Sequence, residues 1–214
     1  MKKTLLLVAI GFGLTLLVMA RGIWVGLSAP RASSAWAPAP QVAPTAAAGQ
    51  EPGPLVVQPR PPDPGDLAQL RARSLGLPVE GLKVGELRDT FADARDGHRH
   101  EAIDILAPRG TRVLAVDDGR VVKLFDSVRG GLTVYQFDPT GTFCYYYAHL
   151  DGYAPGLKEG EFLNRGSVVG FVGTTGNAPP KTPHLHFSVF KLGPEKRWWQ
   201  GTPIDPFPIW ASSG

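Results

Sequence analysis

Cysteine is nearly absent from this 214-residue sequence, since Cys144 is the only one. A single cysteine excludes an intrachain disulfide framework and any metal site built from several thiolates. Cys144 lies in the strand-like run FCYYYAHL, where we expect a buried and unreactive thiol. Folding must therefore depend on a hydrophobic core, and a chain of this length can supply one.

Acidic residues are absent from residues 1–35, which contain Lys2, Lys3, Arg21 and Arg31. Subtracting these four from the 22 basic residues leaves 18 against 19 acidic ones. The rest of the chain therefore has a net charge of −1, although the whole chain has +3. This balance predicts no nucleic-acid-binding surface.

The same segment has an unbroken apolar run from Leu5 to Ala20 behind its first lysines. This pattern is typical of a secretory signal peptide, and an uncleaved run of this length could also be a membrane anchor. Small residues that fit a cleavage site lie near both Ala20 and Ala35. We therefore interpret residues 1–35 as a signal peptide or membrane anchor that exports the protein to the cell envelope, either to the periplasm or as a secreted protein.

Large apolar residues are scarce in residues 36–65, which contain nine prolines among alanine, glutamine and glycine. Such a composition cannot build a core and predicts a disordered linker with polyproline character. Residues 66–90 follow as a short helix, over 66–73, and an irregular lead-in.

Helix patterns of ordinary length are missing after Phe91, and no internal repeat is visible. Short runs rich in β-branched and aromatic residues alternate instead with turn sequences such as Asp117-Asp118-Gly119. Residues 91–214 are therefore predicted to form an all-β, mainly antiparallel, compact sheet domain with a groove. The predicted strands are 111–116, 119–125, 132–137, 143–150, 167–172 and 184–190.

The stretch RHEAIDILAP, residues 99–108, brings two potential metal ligands together. On an extended strand His100, Ala102 and Asp104 face one way, with the small methyl group between the two ligands. Residues 100–104, HEAID, also resemble the HExxH helix of zinc proteases. That interpretation fails because Pro108 and Gly110 leave too little chain for the helix, and Glu101 faces away on a strand.

Two further stretches add imidazoles. In PHLHF, strand alternation puts His184 and His186 on one face and Leu185 on the apolar side. His149 ends the run FCYYYAHL on the face of Tyr145 and Tyr147, before a break at Asp151-Gly152. The PHLHF pair alone could equally be two exposed histidines, and His149 alone is more often a surface residue at the end of a strand. His98, between Gly97 and Arg99, is interpreted as a loop residue.

Nitrogen and carboxylate donors without thiolates are typical of a catalytic zinc site with one position open to water. Four histidines and Asp104 are more than such a site needs. The surplus histidines can serve as general base and as stabilisers of an oxyanion.

Three motifs, RHEAIDILAPRGTRVLAVDDGRVV, YYYAHL and GTTGNAPPKTPHLHFSVF, together resemble the lysostaphin-type (LytM-like) zinc endopeptidases that cut peptidoglycan. The resemblance runs from about Leu75 to Pro208. It implies that Zn²⁺ is bound by His100, Asp104 and His186, and that His149 and His184 are catalytic and flank the attacking water. Two departures are visible: Ala102 where the family usually has glycine, and Arg112 where proline is common.

The resemblance implies hydrolysis of peptide bonds in the stem or cross-link of peptidoglycan, with this peptide as the partner. A non-catalytic regulator of cell-wall hydrolases is the main alternative, because some relatives have lost ligands. A zinc-dependent binding module is a third possibility, but it gives no reason for the surplus histidines.

Overall fold

The computed structural model describes residues 63–95 and 97–211. The predicted signal or anchor segment 1–35 and almost all of the predicted linker 36–65 lie outside these residues. Among the residues described, no helix combines the length and apolar character needed to cross a membrane.

Strands dominate the described chain, with a short helix at each end and one 3₁₀ turn at Val84–Glu86. The helices are α1 (Pro64–Ala72) and α2 (Phe207–Ala211). The strands are β1 (Ala94–Arg95), β2 (His98–Arg99), β3 (Ile103–Leu106), β4 (Arg112–Leu114), β5 (Gly119–Ser127), β6 (Gly131–Phe137), β7 (Phe143–Tyr153), β8 (Phe162–Leu163), β9 (Val168–Val172), β10 (His184–Leu192) and β11 (Gly201–Ile204).

Strands β3 to β11 form one nine-stranded sheet, and β1 with β2 forms a separate hairpin. The main path of the sheet is β11-β10-β7-β6-β5-β8, and every pair is antiparallel. The first half of β10 also pairs with β3, whereas the end of β7 pairs with β9. The predicted all-β, mainly antiparallel fold is thus confirmed.

Side-chain alternation divides the two central strands into a core face and a groove face. Tyr145 and Tyr147 of β7 and Leu185 and Phe187 of β10 point into the main core, where helices α1 and α2 also contribute buried residues such as Leu70. These aromatic and branched side chains fit a pleated surface that is buried on one side. Helices and lead-in therefore cover the core face and leave the other face for the groove.

The groove face has a smaller apolar cluster that includes Tyr135, Tyr146 and Phe190. Cys144 belongs to this cluster and is fully buried, and burial raises the pKa of its thiol well above the ordinary value. The expectation of a buried thiol is confirmed, and the raised pKa disfavours the reactive thiolate form.

All six predicted strands are present, but their ends differ. Strand β4 is shorter than predicted. Strand β7 does not break at Asp151-Gly152 but continues to Tyr153, because beyond a register shift its end pairs with β9 and no longer with β6 and β10. Helix α1 begins at Pro64, two residues before the predicted start, because the Asp63 side chain accepts a hydrogen bond from Gly65 N at 2.9 Å. The two-residue strands and β11 were missed.

The lead-in is fastened to the sheet by a buried ion-pair network. Arg73 donates to Asp117 Oδ2 at 3.0 Å and to Asp138 Oδ2 at 2.5 Å, and both carboxylates are almost fully buried. Tyr145 also donates to Asp117, and Arg165 donates to the backbone oxygens of Arg73 and Ser74. Residues beside α1 therefore compensate charges that the sheet buries.

We expect Arg73→Ala to lower the free energy of unfolding by about 2 kcal/mol, because two buried carboxylates lose a charged partner while keeping their other hydrogen bonds. Thermal unfolding of residues 63–211 should show a Tm lower by roughly 6 °C. The matched control is Arg112→Ala, whose partner Glu80 is exposed. That change should cost at most about 0.5 kcal/mol. Equal losses in the two variants would contradict the role given to Arg73.

Candidate metal centre

The strand predicted through His100 and Asp104 is shorter than expected. Strand β3 begins only at Ile103, and Glu101 has a φ of 55°, a left-handed conformation that an extended strand does not contain. The prediction that His100, Ala102 and Asp104 alternate on one strand is therefore wrong for His100 and Ala102. Hydrogen bonds on both sides hold Glu101 in place: its N–H donates to Phe91 O and its C=O accepts from Ser188 Oγ.

Asp104 and His186 meet because they are direct partners across the β3–β10 ladder. Asp104 Oδ1 lies 3.2 Å from His186 Nδ1, and His100 Nε2 lies 3.0 Å from each of these two atoms. Three electron-pair donors thus form a nearly equilateral triangle. A tetrahedral zinc ion with bonds of about 2.0–2.1 Å holds its ligand atoms roughly 3.3 Å apart, so the triangle fits such an ion.

Backbone carbonyl groups fix the proton on three of the histidines. The Nδ1 of His100 lies 3.0 Å from Thr90 O, that of His149 2.9 Å from Thr175 O, and that of His184 2.9 Å from Thr182 O. Because a carbonyl oxygen only accepts, Nδ1 carries the proton and Nε2 of the neutral ring keeps a lone pair.

His149 reaches the site through a local break in strand alternation. Its φ is 60°, and its N–H donates to Gly130 O at 2.8 Å. The ring lies 5.0 Å from that of His184 and 5.5 Å from that of His186, measured between centroids. The prediction that His149 shares a face with Tyr145 and Tyr147 is wrong, since both tyrosines belong to the core and His149 lies in the groove.

Thr175 connects this break to the rest of the sheet. Its hydroxyl accepts from Leu132 N and donates to Leu150 O, while its carbonyl binds His149. The contact requires glycine at Gly131, where an added Cβ would lie 2.2 Å from the Thr175 hydroxyl oxygen. Gly131 also has a positive φ, so two backbone segments approach closely behind the histidine.

Burial and contacts among the site residues shift the pKa values of Asp104, His149 and His186. Burial alone would raise the pKa of Asp104, but its polar contacts with His100 and His186 outweigh burial and hold the pKa well below its usual range. Burial lowers the pKa of His186, and burial with the neighbouring His186 and His184 lowers that of His149 to about 4. An ionised carboxylate and neutral imidazoles are the forms that bind a metal.

The cluster lies at the floor of an open groove of about 1190 Å³. Aromatic side chains form part of its lining, among them Trp198, whose ring contacts Phe125 and Tyr135. His98 also lines the groove but is exposed and belongs to β2, so its interpretation as a loop residue is wrong. No described contact joins it to the triangle of ligand atoms.

All five residues singled out from the sequence are brought together: His100, Asp104, His149, His184 and His186. Sequence reasoning missed the residues that hold them. Thr175 and Thr182 lie within the motif GTTGNAPPKTPHLHF and could have been found as neighbours of the histidines. Thr90 accepts from Asp104 N through its hydroxyl, and Arg95 binds Asp104 at 2.7 Å. Neither gave a recognisable signal.

We expect His149 in the metal-free protein to stay neutral until the pH approaches about 4. The unfolded chain takes up this proton near pH 6.5. The stability that neutral His149 contributes is therefore complete above pH 6.5 and is lost as the pH falls towards 4. Histidine ¹⁵N and ¹H chemical shifts followed from pH 8 to 4 test this. A midpoint near 6.5 for His149, or a neutral form protonated on Nε2, would contradict the geometry.

Comparisons with known proteins show similarity to peptidases over the part of the chain that contains the site. The chain is 36% identical over 129 residues to an L-Ala–D-Glu endopeptidase of Bacillus subtilis, covering 56% of this chain and 38% of the relative. It is 28% identical over 120 residues to lysostaphin of Staphylococcus simulans, covering 56% and 23%. The chain thus spans less than two fifths of the length of these curated relatives.

A solved structure, that of a LytM protein from Ruminococcus gnavus, has the same fold with a TM-score of 0.54 at 24% identity, over 65% of this chain and 60% of that one. The family model described as peptidase family M23 matches residues 98–206, which is half of the chain and includes all five site residues. The chain belongs to peptidase family M23.

Proposed function

We propose that the protein is a zinc endopeptidase that hydrolyses peptide bonds in the stem or cross-link of bacterial peptidoglycan. The observation that carries the proposal is the triangle of His100 Nε2, Asp104 Oδ1 and His186 Nδ1, with sides of 3.0 to 3.2 Å, beside two further histidines. A binding module would need the triangle but not the additional imidazoles.

Zinc suits this donor set better than other common ions. Two imidazole nitrogens disfavour Mg²⁺ and Ca²⁺, which prefer oxygen ligands. The only thiol, Cys144, is fully buried and cannot compete for the ion. Three protein ligands leave a fourth tetrahedral position, as in catalytic rather than structural zinc sites.

Bound zinc would supply Lewis-acid chemistry, polarising the scissile carbonyl group and making water more acidic. His149 and His184 then handle protons. Each donates Nδ1–H to a backbone carbonyl group, which leaves Nε2 able to accept a proton. One of the pair would take a proton from the attacking water on Nε2 and pass it to the leaving amine. The other would stabilise the oxyanion by donating from Nε2 when this atom carries a proton taken up from solvent.

The proposed substrate follows from the groove and from the relatives. The groove has a volume of about 1190 Å³ and is partly open to solvent, which leaves room for a segment of an extended peptide. The Bacillus subtilis relative is named for cleaving between L-Ala and D-Glu, and D-amino acids are characteristic of peptidoglycan. A complete set of ligand and proton-handling residues favours the enzyme over the regulator alternative.

The proposed location is the cell envelope. Residues 1–35 would export or anchor the chain, and the proline-rich residues 36–65 would separate the domain from the membrane by up to about 90 Å in polyproline form. Cell fractionation would test this, and recovery of the protein in the cytoplasm would contradict it.

We expect His100→Ala, Asp104→Ala and His186→Ala each to lose bound zinc, because each removes one ligand atom. His184→Ala should keep about one zinc per chain while turnover falls about 100-fold, the scale of a lost proton-transfer group. Metal analysis of the purified variants together with peptide hydrolysis measures both quantities.

The matched control is His98→Ala, an exposed groove histidine with no described contact to the triangle. It should retain its zinc. Stoichiometric zinc in His186→Ala, or loss of zinc in His184→Ala, would require a different ligand set.

Digestion of purified sacculi tests the activity itself. We expect the zinc-loaded protein to release soluble peptidoglycan fragments, and a chelator followed by added zinc to abolish and then restore the release. Mass spectrometry of the fragments identifies the broken bond. Zinc-loaded protein that releases nothing by itself, but increases the action of a cell-wall amidase, would establish the regulator instead.

A further inference from the structure

We propose that Arg95 is a positioning residue that keeps Asp104 as a one-oxygen metal ligand. The inference rests on the proposed metal site and goes beyond it, because Arg95 precedes the motifs that indicate the ligands. Arg95 contacts only one of the two carboxylate oxygens of Asp104, namely Oδ2.

The two oxygens of Asp104 have different neighbours. Oδ1 faces His100 and His186 at 3.0 and 3.2 Å. Oδ2 is bound by the Arg95 guanidinium group at 2.7 Å, a charge-assisted hydrogen bond of good length. Thr90 Oγ1 accepts from the backbone N–H of the same aspartate at 3.0 Å. The carboxylate is thus held so that one oxygen points to the ligand triangle and the other away from it.

The backbone places Arg95 at this position. Strands β1 and β2 pair Ala94 with Arg99 and Arg95 with His98. Beyond this pairing, His100 N donates to Asp93 O at 2.9 Å. The hairpin that carries Arg95 therefore also fixes the backbone of His100, which follows β2 directly. The Arg95 side chain is 43% exposed, so its ion pair adds little to folding stability.

Two consequences for a bound ion follow from this contact. The hydrogen bond from Arg95 occupies one lone pair of Oδ2 and disfavours chelation through both oxygens, which would keep the coordination position that a substrate needs open. A cation at Oδ2 also makes the carboxylate a weaker donor, because it stabilises the negative charge. The metal keeps more of its positive charge and stays a stronger Lewis acid.

A positioning role and a purely structural role for Arg95 predict opposite changes in zinc affinity when the side chain is removed. Arg95→Ala should bind zinc more tightly, by about tenfold, because a second oxygen becomes available and a nearby positive charge is removed. Hydrolysis by the same variant should fall about tenfold or more. A residue that merely supported the fold would weaken zinc binding when removed.

The experiment uses the full chain with Co²⁺ in place of zinc, and needs no substrate. Four-coordinate Co²⁺ absorbs visible light more strongly than five-coordinate Co²⁺. We expect the wild type to give the four-coordinate spectrum and Arg95→Ala the weaker spectrum of higher coordination. Zinc affinity is measured in parallel by competition with a chelator.

Two further variants make the test specific. Arg95→Lys keeps the charge but not the planar fork, so its spectrum and zinc affinity should lie between those of the wild type and Arg95→Ala. Arg99→Ala removes a cation from the facing strand without touching Asp104, and its spectrum and affinity should match the wild type. The Lys variant also remains informative if Arg95→Ala does not fold.

An Arg95→Ala protein with the wild-type cobalt spectrum, or with weaker zinc binding, would overturn the proposal. Equal changes in Arg99→Ala would also overturn it, by showing a general effect of groove charge. These failures are distinct from failure of the metal site itself, in which wild-type protein would bind no Co²⁺ or His186→Ala would bind it unchanged.

Discussion

The site depends on one constraint: three ligand atoms must direct their lone pairs at the same point. His100 Nε2, Asp104 Oδ1 and His186 Nδ1 lie at most 3.2 Å apart. At this spacing lone pairs repel one another unless a proton or a metal cation lies between them. The β3–β10 ladder supplies two of them as direct partners. The third comes from the loop before β3. Backbone hydrogen bonds hold these ligands in place, through the β3–β10 ladder and through the N–H groups of His100 and Glu101.

Carbonyl groups determine the orientation of the imidazoles. Thr90, Thr175 and Thr182 each offer a backbone oxygen to a different Nδ1, so the tautomer depends on the path of the chain. The contact itself involves only the backbone oxygen and not the threonine side chain. A sequence pattern read by residue type therefore has little information about the orientation of these rings.

Regular strand geometry explains what could be predicted from the sequence. Alternation correctly put His184 and His186 on one face and Leu185 and Phe187 in the core. It failed at Glu101 and His149, where φ is positive. Backbone hydrogen bonds to Phe91 and Gly130 hold those conformations. Both partners lie in other segments of the sequence, so no local pattern predicts the contacts. Arg95 could not be found for a related reason, because only the hairpin brings it to Asp104.

The burial of Cys144 has a consequence for how the thiol reacts in the folded domain. Its thiol is fully enclosed and its pKa is raised, so the reactive thiolate is scarce and unreachable in the folded state. An oxidant can attack it only when the central sheet opens. The residue therefore reports on global opening, and the rate at which a thiol reagent labels it measures how often the intact domain unfolds.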